Sequence, residues 1–145
     1  MTLYETEEDR ARERAVLQVY QHKRMIPLLR VMKPTEGYDG EVYWPDGRIY
    51  QLIEVKTRNI PADKYEHYII DKIKVDNGIE RAAQVGADFI LLVQWEANDV
   101  RYLNLSSRRR IRRKDMISVV RRRDREGEKA DDVYLLPIKD FLRIT

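Results

Sequence analysis

The chain has 145 residues, 43% hydrophobic and 37% charged, with 28 Lys and Arg against 25 acidic residues and a net charge of +3. That length and apolar share suit one globular domain that buries its own core, not a disordered segment. No cysteine is present, which excludes disulfides, thiolate metal sites and cysteine nucleophiles; the two histidines, His22 and His67, cannot build a zinc centre without carboxylates.

No apolar run reaches the roughly 18 residues of a membrane span. The longest, residues 89–93, is strand-sized, and the first five residues turn acidic at once without a basic and apolar leader. A cytoplasmic protein is therefore expected.

In chain order, residues 6–24 read as a helix. Thr6 is an N-cap with Asp9 three positions on, and Ala11, Ala15, Val16, Val19 and Tyr20 form an apolar stripe at spacings of three and four. Pro27 ends it. Residues 38–57 read as a β-hairpin, with Pro45-Asp46-Gly47 as the turn between β-rich runs. Residues 58–71 read as irregular, with Pro61, Tyr65 and Tyr68. A second helix is expected over 72–85, stopping at Gly86 and weakened by Gly78. Residues 87–95 are apolar on both faces, as a central strand must be. Short strands follow at 100–105, 116–120 and 133–138, with a charged loop at 121–132; Phe141 and Leu142 dock the C-terminal end. The order predicts a single α/β domain over 1–145, a mixed central β-sheet flanked by helices, with its core at about 8–95 and basic strands and loops at 100–145.

Chemistry gathers around Glu54-Val55-Lys56. In a strand Glu54 and Lys56 share one face, while Ile53 and Val55 turn to the other. Asp39 lies fifteen positions before Glu54, across the hairpin turn. With a two-residue Asp46-Gly47 loop Asp39 stands directly opposite Glu54, about 4.5–5.5 Å apart at Cβ. With a Pro45-Asp46 loop it is a diagonal neighbour. With a three-residue loop over 45–47 it falls on the opposite face unless another bulge restores it. Two carboxylates driven together repel unless a cation sits between them, and oxygen ligands favour a hard ion such as Mg2+ or Mn2+.

Asp39, a hairpin spacing and then Glu54-Val55-Lys56 resemble the PD-(D/E)xK nuclease superfamily, although Tyr38 stands where the pattern has proline. The resemblance implies a restriction-endonuclease-like αβββαβ core. It implies Asp39 and Glu54 as metal ligands with the Val55 carbonyl, Lys56 as the catalytic lysine, and Glu13 as the acid on the first helix. It also implies a metal-dependent DNA endonuclease using Mg2+ or Mn2+. So short a chain has little room for a sequence-reading domain, so structure-selective cutting of branched or single-stranded DNA, in recombination, repair or phage DNA processing, is the expectation. Archaeal-type Holliday-junction resolvases are similar in size and motif order and act as dimers, which makes a homodimer an expectation too.

Around this core, Arg58, Lys72, Lys74 and the cluster Arg108, Arg109, Arg110, Arg112 and Arg113 are candidates for the nucleic-acid backbone, with Arg121 to Arg123 behind them. Tyr65 and Tyr68 are candidates for base stacking, and Gln94 for the edge of the site. The competing reading is a catalytically inactive nucleic-acid-binding module on a nuclease fold, whose working part is the basic C-terminal third.

Overall fold

Thr6 caps the first helix as its sequence dictates: its hydroxyl accepts from the Asp9 N–H, while the Asp9 carboxylate accepts from the Thr6 N–H, each at 3.1 Å. The computed structural model, which describes residues 6–33, 36–107, 119–122 and 131–145, runs this helix, α1, over Glu7–Lys23. Its stripe of Val16, Leu17 and Tyr20 is fully buried.

The described strands are β1 (Leu29–Val31), β2 (Gly40–Tyr43), β3 (Ile49–Thr57), β4 (His67–Asp71), β5 (Asp88–Trp95), β6 (Asp99–Asn104), β7 (Val119–Arg122), β8 (Asp131–Pro137) and β9 (Leu142–Arg143), with α2 over Lys72–Gln84. Six of them form a central sheet in the order β1-β2-β3-β5-β6-β9. It is mixed: β3 and β5 run parallel, joined across α2, and the other neighbours are antiparallel. β5 lies between β3 and β6, which explains its two apolar faces. The fold is thus the expected α/β domain with a mixed central sheet flanked by helices.

The sheet separates two cores. On one face α1 packs Val16, Leu17 and Tyr20 onto Ile53, Val55, Ile90 and Leu92. On the other, α2 supplies Val75, Ile79 and Ala82 against Leu52, Phe89, Leu91 and Val93. A second sheet, β4-β8-β7, completes that layer through Tyr68, Ile70, Tyr134 and Leu136. Residues 58–71, read from sequence as irregular, hold β4, which pairs antiparallel with β8. β1 is likewise a strand beyond the elements expected. Phe141 docks into the core, whereas Leu142 stays 59% exposed and is tied to β6 by its main chain.

Gly78 belongs in α2 despite its poor helix propensity, because the helix crosses β5 at this point. A Cβ there would run into the Phe89 ring. Gly78→Ala is therefore expected to destabilise by about 1–3 kcal/mol, even though alanine is the better helix former by about 1 kcal/mol. Urea unfolding measures this, and Phe89→Leu in the same chain should recover part of the loss.

Candidate active site

The hairpin turn decides whether the acids meet. Gly47, at φ +90°, lets Pro45-Asp46-Gly47 close as a three-residue loop. The Gly47 N–H donates to the Trp44 carbonyl at 2.9 Å and the Trp44 N–H to the Arg48 carbonyl at 2.8 Å. Counting on from that pair, Tyr43 faces Ile49, which would set Asp39 opposite Ile53 and turn it away from Glu54. A β-bulge prevents this. Val42 pairs with Gln51, so Tyr50 is an extra residue in β3, and its ring packs on Trp44 at a centroid distance of 4.2 Å. The register shifts by one, Gly40 pairs with Ile53, and Asp39 comes to the level of Glu54.

Asp39 then clasps the end of the ladder. Its N–H donates to the Ile53 carbonyl at 2.8 Å, and its Oδ2 accepts from the Val55 N–H at 2.7 Å. β2 pairs with β3 only as far as Gly40 and Ile53. The Val55 carbonyl, which faces the same edge as its N–H, therefore lies beyond the last paired rung. Two carboxylates and a main-chain carbonyl thus converge where the strand pairing stops.

Glu54 is buried, its side chain 8% exposed, with the Lys56 Nζ 3.7 Å and the Lys74 Nζ 3.8 Å from Oε2. Burial, reinforced by the negative charge of Asp39, pushes its carboxyl up to about 7, against the pull of the two lysines. Burial also lowers Lys56, with the Lys74 charge in support and Glu54 opposing. For Lys74, burial acts downward but is outweighed by the negative charges of Glu54 and Asp39, so its ammonium sits above the ordinary value. Lys56 is thus the readier proton donor, and Lys74 the more persistent charge.

Among the described residues no three His, Cys, Asp or Glu side chains assemble into a metal cluster. A hard cation here would be offered two carboxylates and a carbonyl, with other positions left to water and substrate, a donor set that suits Mg2+ or Mn2+. The carboxyl of Glu54 stays raised although two lysines pull it down, so further positive charge beside the acids would be accommodated.

Lys74, expected only on the nucleic-acid backbone, stands in the site itself. The sequence separates it from Glu54 by twenty positions, and only the crossover through α2 brings them together. Lys72 is engaged elsewhere: its Nζ lies 2.6 Å from Asp76 Oδ2, and the Tyr134 hydroxyl donates to the same carboxylate at 2.7 Å. Arg58 is exposed just past β3, its guanidinium 5.0 Å from the centre of the Tyr68 ring. Gln94 pairs with Thr57 in the parallel ladder but shares its face with Ile90 and Leu92, on the α1 side and away from Glu54. Arg108, Arg109, Arg110, Arg112, Arg113 and Arg123 lie outside the described residues; Arg121 and Arg122 belong to β7.

Glu13 is half-buried on α1. Leu17 packs on Gly40, where a Cβ would lie 2.9 Å from Leu17 Cδ2, and the Tyr20 hydroxyl donates to Gln51 at 2.8 Å. α1 therefore runs antiparallel to β3. One turn back from Leu17, about 5.4 Å, brings Glu13 to the level of Val55 on the α1 face of the sheet.

A mixed sheet that gathers two acids and two lysines where a hairpin ends, flanked by helices, defines a nuclease fold of the PD-(D/E)xK type. Over residues 2–144 the chain matches the model of a family described as "Phage putative PDDEXK endonuclease". The chain belongs to that family. Among solved structures it is similar to Hjc, a Holliday junction resolvase from the archaeal hyperthermophile Archaeoglobus fulgidus, with a TM-score of 0.51 and 17% identity over 88% of this chain and 90% of that one. At that identity the likeness is one of fold. No match is found among curated proteins.

Proposed function

We propose that this PDDEXK-type nuclease is a divalent-metal-dependent DNA endonuclease that selects branched or single-stranded DNA. The observation that carries the reading is the bulge-corrected hairpin that sets Asp39 against a buried Glu54, with Lys56 and Lys74 within 4 Å of the same carboxylate oxygen. Asp39, Glu54 and the Val55 carbonyl would hold Mg2+ or Mn2+, with Glu13 at the same level on the other face of the sheet. Such an ion supplies charge neutralisation at the phosphate and a lowered pKa for water.

The chain's own groups do the rest. Asp39 keeps its carboxylate in place through the Val55 N–H. Lys56 orients the attacking water and can donate a proton as negative charge develops, while Lys74 binds a phosphate oxygen as a fixed positive charge. Arg58 and the arginines at 108–113 track the nucleic-acid backbone. Among the described residues no helix is long and apolar enough to cross a membrane.

The test is cleavage of plasmid, single-stranded, flap and four-way-junction DNA by the purified protein with Mg2+ or Mn2+, and with EDTA. Cutting of the branched or single-stranded substrates, stopped by EDTA, is expected. Tight binding without any cut in either metal would replace this reading with that of a binding module.

A further inference from the structure

Beside the site lies a pocket of about 550 Å3, walled by Arg58, Ile60, Tyr65, His67, Tyr68 and Trp95 among others. We propose that it receives one unpaired nucleobase of the DNA, adjacent to the phosphate being cut, so that a base free to leave its stack is part of what the enzyme selects. The proposal rests on the nuclease reading and names the substrate feature that reading leaves open.

Four observations carry it. The pocket shares a wall with the catalytic strand: Arg58 stands two residues beyond Lys56, on the pocket rim, with its guanidinium over Tyr68. A chain whose phosphate lies at Glu54 and Lys56 therefore has its neighbouring sugar and base at this opening. The walls suit a flat aromatic guest, with Ile60 and Trp95 inside and Tyr65, 61% exposed, at the mouth beneath Lys64.

Tyr68, one wall of the pocket, also carries an uncommitted polar group. Tyr68 is only 4% exposed, and its hydroxyl has no hydrogen-bond partner among the described residues. A buried hydroxyl left in that state is costly unless a ligand completes it. Lastly, the Ile138 N–H donates to the Glu66 carbonyl at 2.9 Å, which fixes the phase of the β4–β8 ladder. Residues 66, 68 and 70 turn their main-chain groups to β8, so those of His67 and Ile69 face the opposite edge. Both residues line the pocket. A donor and an acceptor in a row on a strand edge can read the polar edge of a base, and a base still paired in a duplex cannot present that edge here.

Single-stranded oligonucleotides carrying 2-aminopurine at successive positions, bound in EDTA to the slow-cleaving Lys56→Ala protein, test this. At one position next to the cut, emission should change several-fold, and at the others it should not. Tyr65→Ala, on an exposed side chain, and Ala62→Leu, at a small residue of the pocket wall whose enlargement narrows it, should each remove the change and weaken binding of that oligonucleotide about tenfold. Tyr68→Phe should weaken the same signal while raising the melting temperature, a pairing that a merely structural tyrosine would not show. Emission that is the same at every position, or a signal that survives both Tyr65→Ala and Ala62→Leu, overturns the proposal. Cleavage by the natural chain, run in parallel, separates the two claims. Metal-dependent cutting with uniform emission defeats the pocket alone, whereas a position-specific signal without any cutting defeats the nuclease reading and leaves a base-binding pocket.

Discussion

Metal-free Glu54→Gln protein is expected to melt about 5–10 °C above the natural chain at pH 8, while cleaving about a thousandfold more slowly or not at all. Both effects come from the same buried carboxylate. Glu54 titrates at about 7 in the fold against an ordinary value of 4.5, first through burial and then through the charge of Asp39. The folded state therefore binds the proton more tightly than the unfolded chain does. Between pH 4.5 and about 7 the native state holds more protons, and stability falls as pH rises through this window. Above it, the ionised group destabilises the metal-free fold by about 3 kcal/mol. Glutamine removes that charge and nearly preserves the shape. Thermal melts of both proteins from pH 4 to 9, with and without Mg2+, measure the effect: the natural chain should lose stability across the window and regain it with metal, and the variant should do neither. A Glu54→Gln protein that melts lower than the natural chain at pH 8 would contradict this account.

Lys56→Ala is expected to lower kcat by about 10²–10³ with little change in KM, whereas Lys74→Ala should act mainly on KM. The two ammonium groups are almost equidistant from Glu54 Oε2, at 3.7 and 3.8 Å, but their settings differ. Lys56 is the more buried, its side chain 27% exposed against 44% for Lys74. Its proton is held less tightly, chiefly because it is buried, so it can give that proton up as the leaving oxygen gains charge. Lys74 reaches in from the first turn of α2 and keeps its charge, which suits it to hold a phosphate oxygen before and during the reaction. Single-turnover and steady-state cleavage of one branched substrate distinguishes the roles. Equal losses in kcat for both variants would mean that the lysines act as one unit.

Much of this arrangement is legible in the sequence. The capping box at Thr6, the turn at Pro45-Asp46-Gly47 and the doubly apolar run ending at Trp95 each carry a local signal, and each element stands where that signal puts it. Glu54 and Lys56 fall on one face by strand alternation alone. The position of Asp39 was open because three loops were compatible with one turn sequence. The loop that forms is the one that points Asp39 the wrong way, and the Tyr50 bulge, seated on Trp44, turns it back. A bulge has no reliable mark in a single sequence, since it goes with a packing contact between side chains on opposite strands of the hairpin.

β4 and Lys74 escaped for a different reason. His67-Tyr68-Ile69-Ile70 is short and runs straight into α2 without a turn residue, and its partner β8 begins sixty positions after β4 ends. Its aromatic and β-branched residues are a strand signal only four positions long. Lys74 looks like any lysine in the first turn of a surface helix; it comes within reach of Glu54 only because the β3–α2–β5 crossover sets that turn above it. Local chemistry can be read in order, but convergence across a crossover needs the fold.

The central sheet tapers at both borders, from β5 with eight residues to β1 with three and β9 with two. Such stubs offer an intruding chain few main-chain groups to template on. The risk of polymerising through the backbone of this sheet is thereby lowered. Lengthening β9 into a long, flat, apolar border would be the direct way to make this nuclease aggregate.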